Sequence, residues 1–154
     1  MIITTLALNG DGNSYGFLEI IEEFPGTKAA NLSSFYAGAS YLRLGDFDGA
    51  VRLLSDFSSS DYLIQARAYA LIGDAYMEQD DFNSAIDYYN KASDYKPNES
   101  FTPIYLKKLA IAQEQNGDLS GAASTYGVIE KEYQRSSQIH DARKQKARLE
   151  ALAQ

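Results

Sequence analysis

A pattern of small and apolar residues recurs three times along this chain. The copy at residues 66–98 is the clearest, with Tyr69, Ile72, Gly73, Tyr76, Ala85, Tyr89 and Ala92 at its apolar and small positions. This spacing predicts two amphipathic helices joined by a tight turn, with Gly73 and Ala85 letting the helices approach closely. A hairpin of this size cannot bury both of its faces, so it needs neighbours of the same kind.

The copies begin near Asn31, Ala66 and Pro103, at intervals of 35 and 37 residues. Their turns also repeat, as Leu44-Gly45-Asp46-Phe47, Gln79-Asp80-Asp81-Phe82 and Asn116-Gly117-Asp118-Leu119. Residues 13–136 thus resemble the tetratricopeptide repeat (TPR) family, whose period is about 34 residues.

The resemblance implies an all-α fold, a right-handed superhelix of antiparallel helix hairpins closed by a C-terminal capping helix. We expect a single domain over residues 1–154. Its parts are an incomplete N-terminal repeat at 1–30, repeats at 31–65, 66–102 and 103–136, and a capping helix at 137–154. Thr102 should cap the first helix of the third repeat. In the capping helix, Ile139, Ala142, Leu149 and Leu152 should face inward.

TPR proteins generally bind a peptide or a protein surface in a concave groove lined by the first helix of each repeat. Carried over to this chain, the groove candidates are Phe35, Ala39, Leu42, Arg43, Arg67, Ala70, Asp74, Met77, Glu78, Lys107, Ile111 and Glu114. Three of them, Phe35, Leu42 and Ile111, are equally well explained by packing between repeats. The lysine and asparagine clamp of chaperone-binding TPRs is missing, so a helix or an extended apolar segment suits this groove better than a terminal carboxylate.

The segment Phe24-Pro25-Gly26-Thr27 resembles a hinge of TPR proteins in the bacterial cell envelope. That resemblance implies a scaffold or chaperone accessory of an envelope complex, in the periplasm or associated with the envelope, with the cytoplasm as the alternative. Such proteins carry a membrane anchor, so we expect this chain to be a fragment that begins after one.

Two other functions fit parts of the sequence. Asp11, Asn13, Gly16 and Glu22 follow the pattern of a calcium-binding loop over residues 11–22. Against this, the repeat register makes residues 16–22 helical, which would draw Glu22 away from Asp11. The incomplete first repeat also leaves an open N-terminal face, through which the chain could form a homodimer or a larger self-assembly.

Composition excludes several classes of function. The chain has no cysteine, which removes disulfides, thiol catalysis and cysteine-ligated metal sites. Its net charge of −7 disfavours nucleic acid as a partner. The single histidine, His140, has no second histidine to share a metal, and no nucleophile is paired with a base. We therefore expect no enzyme activity, no cofactor and, without an apolar run of about 20 residues, no membrane span.

Overall fold

The computed structural model describes residues 2–153, which contain nine α-helices and no strand. The helices are α1 (Ile2–Asn9), α2 (Phe17–Glu23), α3 (Lys28–Leu44), α4 (Phe47–Asp56), α5 (Tyr62–Glu78), α6 (Phe82–Asp94), α7 (Thr102–Gln115), α8 (Leu119–Glu132) and α9 (Ile139–Leu152). The apolar residues near the N-terminus form the first helix, α1. The all-α prediction is confirmed.

The helices pack as antiparallel hairpins in two compact units, one ending at Asp61 and the other beginning at Tyr62. In the first unit, α3 packs against both α2 and α4, and α1 contacts α2 and α3. In the second unit, α5 pairs with α6 and α7 with α8, while α6 also packs on α7 and α8 on α9. This is a helical-hairpin repeat, although the single-domain boundaries stay a prediction.

The turns that join α3 to α4, α5 to α6 and α7 to α8 share the same two-residue arrangement. The first residue has left-handed backbone geometry, with φ of 83° at Gly45, 57° at Asp80 and 84° at Gly117. The second is an aspartate that caps the next helix: Asp46, Asp81 and Asp118 accept hydrogen bonds from the N–H groups of Gly49, Ser84 and Gly121 at 2.9, 3.2 and 2.8 Å. The turn sequence therefore repeats for a reason of backbone geometry. Its first position must adopt a positive φ, and its second must supply a carboxylate that caps the next helix.

Asp80 is the one of these three left-handed residues that carries a side chain, so Asp80→Gly should stabilise the protein. An L-residue in this conformation is strained by contact between its Cβ and the following carbonyl oxygen. We expect a gain of about 0.5–1 kcal/mol in the free energy of unfolding, measured by urea denaturation. The reciprocal change Gly117→Asp should lower stability, and effects of the same sign at both positions would contradict this account.

The first unit is built around buried apolar side chains from three helices. Leu8, Ala37 and Leu53 form its centre, against which Phe17, Leu18, Ile21 and Tyr41 pack. A Cβ on Gly38 would lie 2.6 Å from the Cγ atom of Leu54, so α3 and α4 approach too closely there for a side chain. Gly38, a small residue of the first repeat, is thus required by its close contact with α4.

The second unit has a larger core, which extends from α5 to α9. Its buried members include Ala85, Tyr89, Leu109, Tyr126, Ile129 and Leu149. A Cβ on Gly73 would lie 2.6 Å from the Cε1 atom of Tyr89, so glycine at position 73 leaves room for the Tyr89 ring. Ala85 is buried in the same core, at the close approach that the sequence predicted.

Two details at helix ends differ from the expectations. Thr102 is the first residue of α7 rather than its cap, and its Oγ1 atom accepts a hydrogen bond from the N–H group of Asn98 at 2.8 Å. The Asn98 side chain in turn accepts the N–H group of Phe101, which precedes the helix. At the other end, Ile139, Ala142 and Leu149 are buried as expected, but Leu152 is 60% exposed because it lies in the last turn of α9.

Candidate functional site

The groove candidates of the first unit all lie on α3, and they differ in exposure. Phe35 is only 5% exposed, and its ring packs against Phe57 with 5.2 Å between ring centroids. It belongs to the core and presents no surface to a partner. Ala39 and Leu42 are half-buried, while Arg43 is exposed in the last turn of the helix.

On α5, Arg67 and Glu78 are exposed, and Asp74 and Met77 are half-buried. Met77 packs against the core of the second unit. Ala70 is 4% exposed and lies in a cluster with Ala66, Ala92 and Tyr105. Ala70 is therefore a packing residue, and among the α5 candidates only Arg67 and Glu78 are exposed.

On α7, Ile111 is 37% exposed, and Ile104 seven residues before it is 38% exposed. Residues seven apart lie about 20° from each other around a helix, so both isoleucines share one face. Ile104 is missing from the groove candidates, although it is apolar and lies on the same helical face as Ile111. Two partly exposed isoleucines therefore form a short apolar line along one face of α7.

An ion pair joins α5 to α7 beside these isoleucines. The Nζ atom of Lys108 lies 2.6 Å from the Oδ1 atom of Asp74. The hydroxyl of Tyr89 donates to the same oxygen at 2.7 Å. Burial raises the pKa of the Tyr89 phenol, and the charge of Asp74 raises it further. The phenol thus stays protonated as a donor, and Asp74 is held by two helices besides its own.

A second set of ion pairs joins α7 to α9. Lys107 lies 2.6 Å from Asp141, and Arg148 lies 2.7 Å from Glu114. Gln145 connects the two pairs, because it donates to Asp141 at 3.4 Å and accepts from Arg148 at 2.7 Å. The hydrogen bond from Lys107 lowers the pKa of Asp141, so this carboxyl stays ionised. The helix expected only to cap the repeats therefore forms one side of the same surface.

The two exposed isoleucines lie between these ion pairs. Around α7, Lys108 is about 40° to one side of Ile104, and Lys107 is about 60° to the other side. Lys108 reaches α5 and Lys107 reaches α9, which leaves Ile104 and Ile111 in the middle. We call this surface the α7 strip, formed by Ile104, Lys107, Lys108, Ile111 and Glu114. Its two isoleucines form an apolar line along α7, and its charged residues are already paired with residues of α5 and α9.

The 11–22 loop does not have the arrangement of a calcium site. The Oδ1 atom of Asp11 accepts hydrogen bonds from the N–H groups of Asn13 and Ser14 at 2.9 and 2.8 Å, which lower the pKa of Asp11. Glu22 lies in α2, as the repeat register implied. Among residues 2–153, no three acidic or histidine side chains are placed to hold a metal ion together. Asp11 thus has a clear structural role in closing its own turn.

Residues 66–99 match the family model of the tetratricopeptide repeat. The match covers most of α5 and all of α6, and it supports the TPR interpretation at the copy where the sequence pattern is clearest. Repeats of this family generally mediate protein–protein interactions and are typically non-catalytic. No curated protein matches the chain. Within the part of the chain that the structure describes, no helix combines the length and apolar character needed to cross a bilayer.

Proposed function

We propose that this chain is a non-catalytic interaction module that binds a segment of a partner protein along the α7 strip. The observation that carries the proposal is the pair of exposed isoleucines, Ile104 and Ile111, held between ion pairs on both sides. The buried core that includes Leu109 and Leu149, with Met77 packed against it, holds α5, α7 and α9 beside one another, and the ion pairs add to it. The surface is therefore organised before a partner arrives. A preorganised surface loses little conformational entropy on binding.

The strip suits a partner segment with a matching apolar side. Covering the remaining exposed area of two isoleucines contributes on the order of 1–2 kcal/mol. A micromolar complex needs about 8 kcal/mol, so the segment must also contact α5, where Met77 is half-buried beside the charged candidates. An amphipathic helix or an extended strand can make such contacts along a helical surface.

We propose further that the partner belongs to a bacterial envelope complex, where this chain would act as a scaffold or chaperone accessory in the periplasm. The support for this part is the resemblance of residues 24–27 to the hinge of envelope TPR proteins. It is a separate step from the site on α7 and is tested by its own readout.

A photo-cross-linking residue at Gln115, which is exposed at the end of α7, tests both parts in extracts of the source organism. The control position is Lys91, which is exposed on α6. We expect a dominant protein adduct from position 115 in the envelope fraction, and its loss when Ile104→Asp and Ile111→Asp are added. Circular dichroism should show that this double variant keeps its helices.

Each outcome of the cross-linking experiment tests a different part of the proposed function. An adduct from Lys91 but not from Gln115 would contradict the α7 strip as the binding surface. An adduct at Gln115 found only in the soluble fraction would support the module and contradict the envelope placement. Many unrelated unfolded proteins, instead of one partner, would support a chaperone role over a scaffold.

A further inference from the structure

The charges that flank the isoleucines are already paired within the protein. Lys107, Lys108 and Glu114 each have an oppositely charged partner on a neighbouring helix at 2.6–2.7 Å. A charged group placed over the middle of the α7 strip would have to compete with these pairs. The middle of a bound segment should therefore be uncharged, because removing a charge from water without a partner is costly.

Two charged residues on α5 mark the two ends of the proposed binding surface, and they differ from the paired charges of the α7 strip. On α5, Arg67 and Glu78 are exposed and form no ion pair with any described residue. They lie eleven residues apart, within about 20° of one another around the helix and about 16 Å along it. Asp74, which reaches α7 through Lys108, lies on this face between them.

Packing contacts locate these ends relative to α7. Ala66 and Ala70, which flank Arg67 on α5, cluster with Tyr105, so Arg67 lies near the first turns of α7 and Ile104. Met77, next to Glu78, packs against the core that contains Leu109 and Ala112 of α7. Because α5 and α7 advance in the same direction, Glu78 lies toward the Ile111 end.

We propose that the partner segment is apolar in its middle, acidic at the end that lies over Arg67 and basic at the end that lies over Glu78. This inference rests on the proposed function and names the class of partner for the same site. Such a segment is close to neutral overall, and its register is set by the two end charges. Its end charges lie about 16 Å apart, which corresponds to about eleven helical or five extended residues.

Three blocked synthetic peptides with one common apolar, helix-favouring centre test the inference. One carries two glutamates at one end and two lysines at the other, the second carries glutamates at both ends, and the third carries lysines at both ends. On the wild-type protein, the mixed peptide should bind about three- to five-fold tighter than either of the others, as expected for exposed ion pairs. The advantage should diminish as salt is raised.

Charge-reversal variants should change which peptide is preferred. With Arg67→Glu, both ends of the surface become acidic, and the peptide with lysines at both ends should bind tightest. With Glu78→Arg, the peptide with glutamates at both ends should be preferred. Lys131→Glu, on the exposed side of α8, changes the net charge as Arg67→Glu does and should leave the ranking of the wild type.

The outcomes separate this inference from the proposed function. An unchanged ranking with Arg67→Glu, or the same change with Lys131→Glu, would overturn the inference and leave the cross-linking result intact. Failure of all three peptides to bind the wild type would also overturn it. Binding of the mixed peptide should fall at least tenfold with Ile104→Asp and Ile111→Asp together, and undiminished binding would overturn the assignment to the strip.

Discussion

Replacing Tyr126 with alanine is expected to lower the free energy of unfolding by about 3–5 kcal/mol, which is the usual cost of deleting a buried aromatic ring. Tyr126 is 2% exposed and is among the largest fully buried side chains of the described residues. Its ring lies in the core that joins α7, α8 and α9, together with Leu109, Ile129 and Leu149. Deleting it leaves a cavity beneath α7 and α9, which contribute to the proposed binding surface.

The matched variant is Tyr126→Phe, which keeps the ring and removes only the hydroxyl. Burial raises the pKa of Tyr126 to about 12, so the group removed is a neutral phenol. We expect this variant to stay within about 1 kcal/mol of the wild type. Urea denaturation followed by circular dichroism measures both, and equal losses for the two variants would show that the ring does not support the core.

The repeat could be predicted from sequence because its signals are local. A left-handed turn residue followed by a capping aspartate is a property of four consecutive positions, and it appears in all three turns. The small residues on the first helices follow helical spacing within a single copy. Patterns of this kind depend on backbone geometry that the neighbouring residues alone determine.

The surface proposed to bind a partner could be predicted only in part, because burial depends on distant residues. Phe35 is covered by Phe57, and Ala70 lies among Ala66, Ala92 and Tyr105, so neither offers a surface. Positional equivalence with the family assigned both to the groove. Ile104 was not among the groove candidates, and its exposure likewise depends on which helices cover α7.

The ion pairs can be predicted from the sequence only when the repeat length is known. Asp74 and Lys108, Lys107 and Asp141, and Glu114 and Arg148 are each 34 residues apart. That separation places side chains on successive first helices next to one another. The same separation places α9 beside α7, where the first helix of a further repeat would lie.

A single substitution made at two glycines tests the close contact that organises the second unit. Gly73→Ala should lower the free energy of unfolding by about 1–3 kcal/mol, because the new Cβ would lie 2.6 Å from Cε1 and 2.8 Å from Cδ1 of Tyr89. The ring cannot move aside easily, since it is 3% exposed and its hydroxyl is bonded to Asp74. A displaced ring would also weaken the hold on Asp74, the residue that pairs with Lys108.

Gly127→Ala is the matched control, because the same methyl group meets different surroundings there. The nearest atom to a Cβ on Gly127 is the Cε of Lys146 at 3.7 Å, which is an ordinary contact with a flexible side chain. Alanine has the higher helix propensity, so this variant should gain about 0.5–1 kcal/mol in urea denaturation. If Gly73→Ala lowers the free energy of unfolding and Gly127→Ala raises it, contact with Tyr89 requires glycine at position 73. A gain at both positions would mean that α5 and α6 are not in close contact there, and the packing of the hairpin would have to be revised.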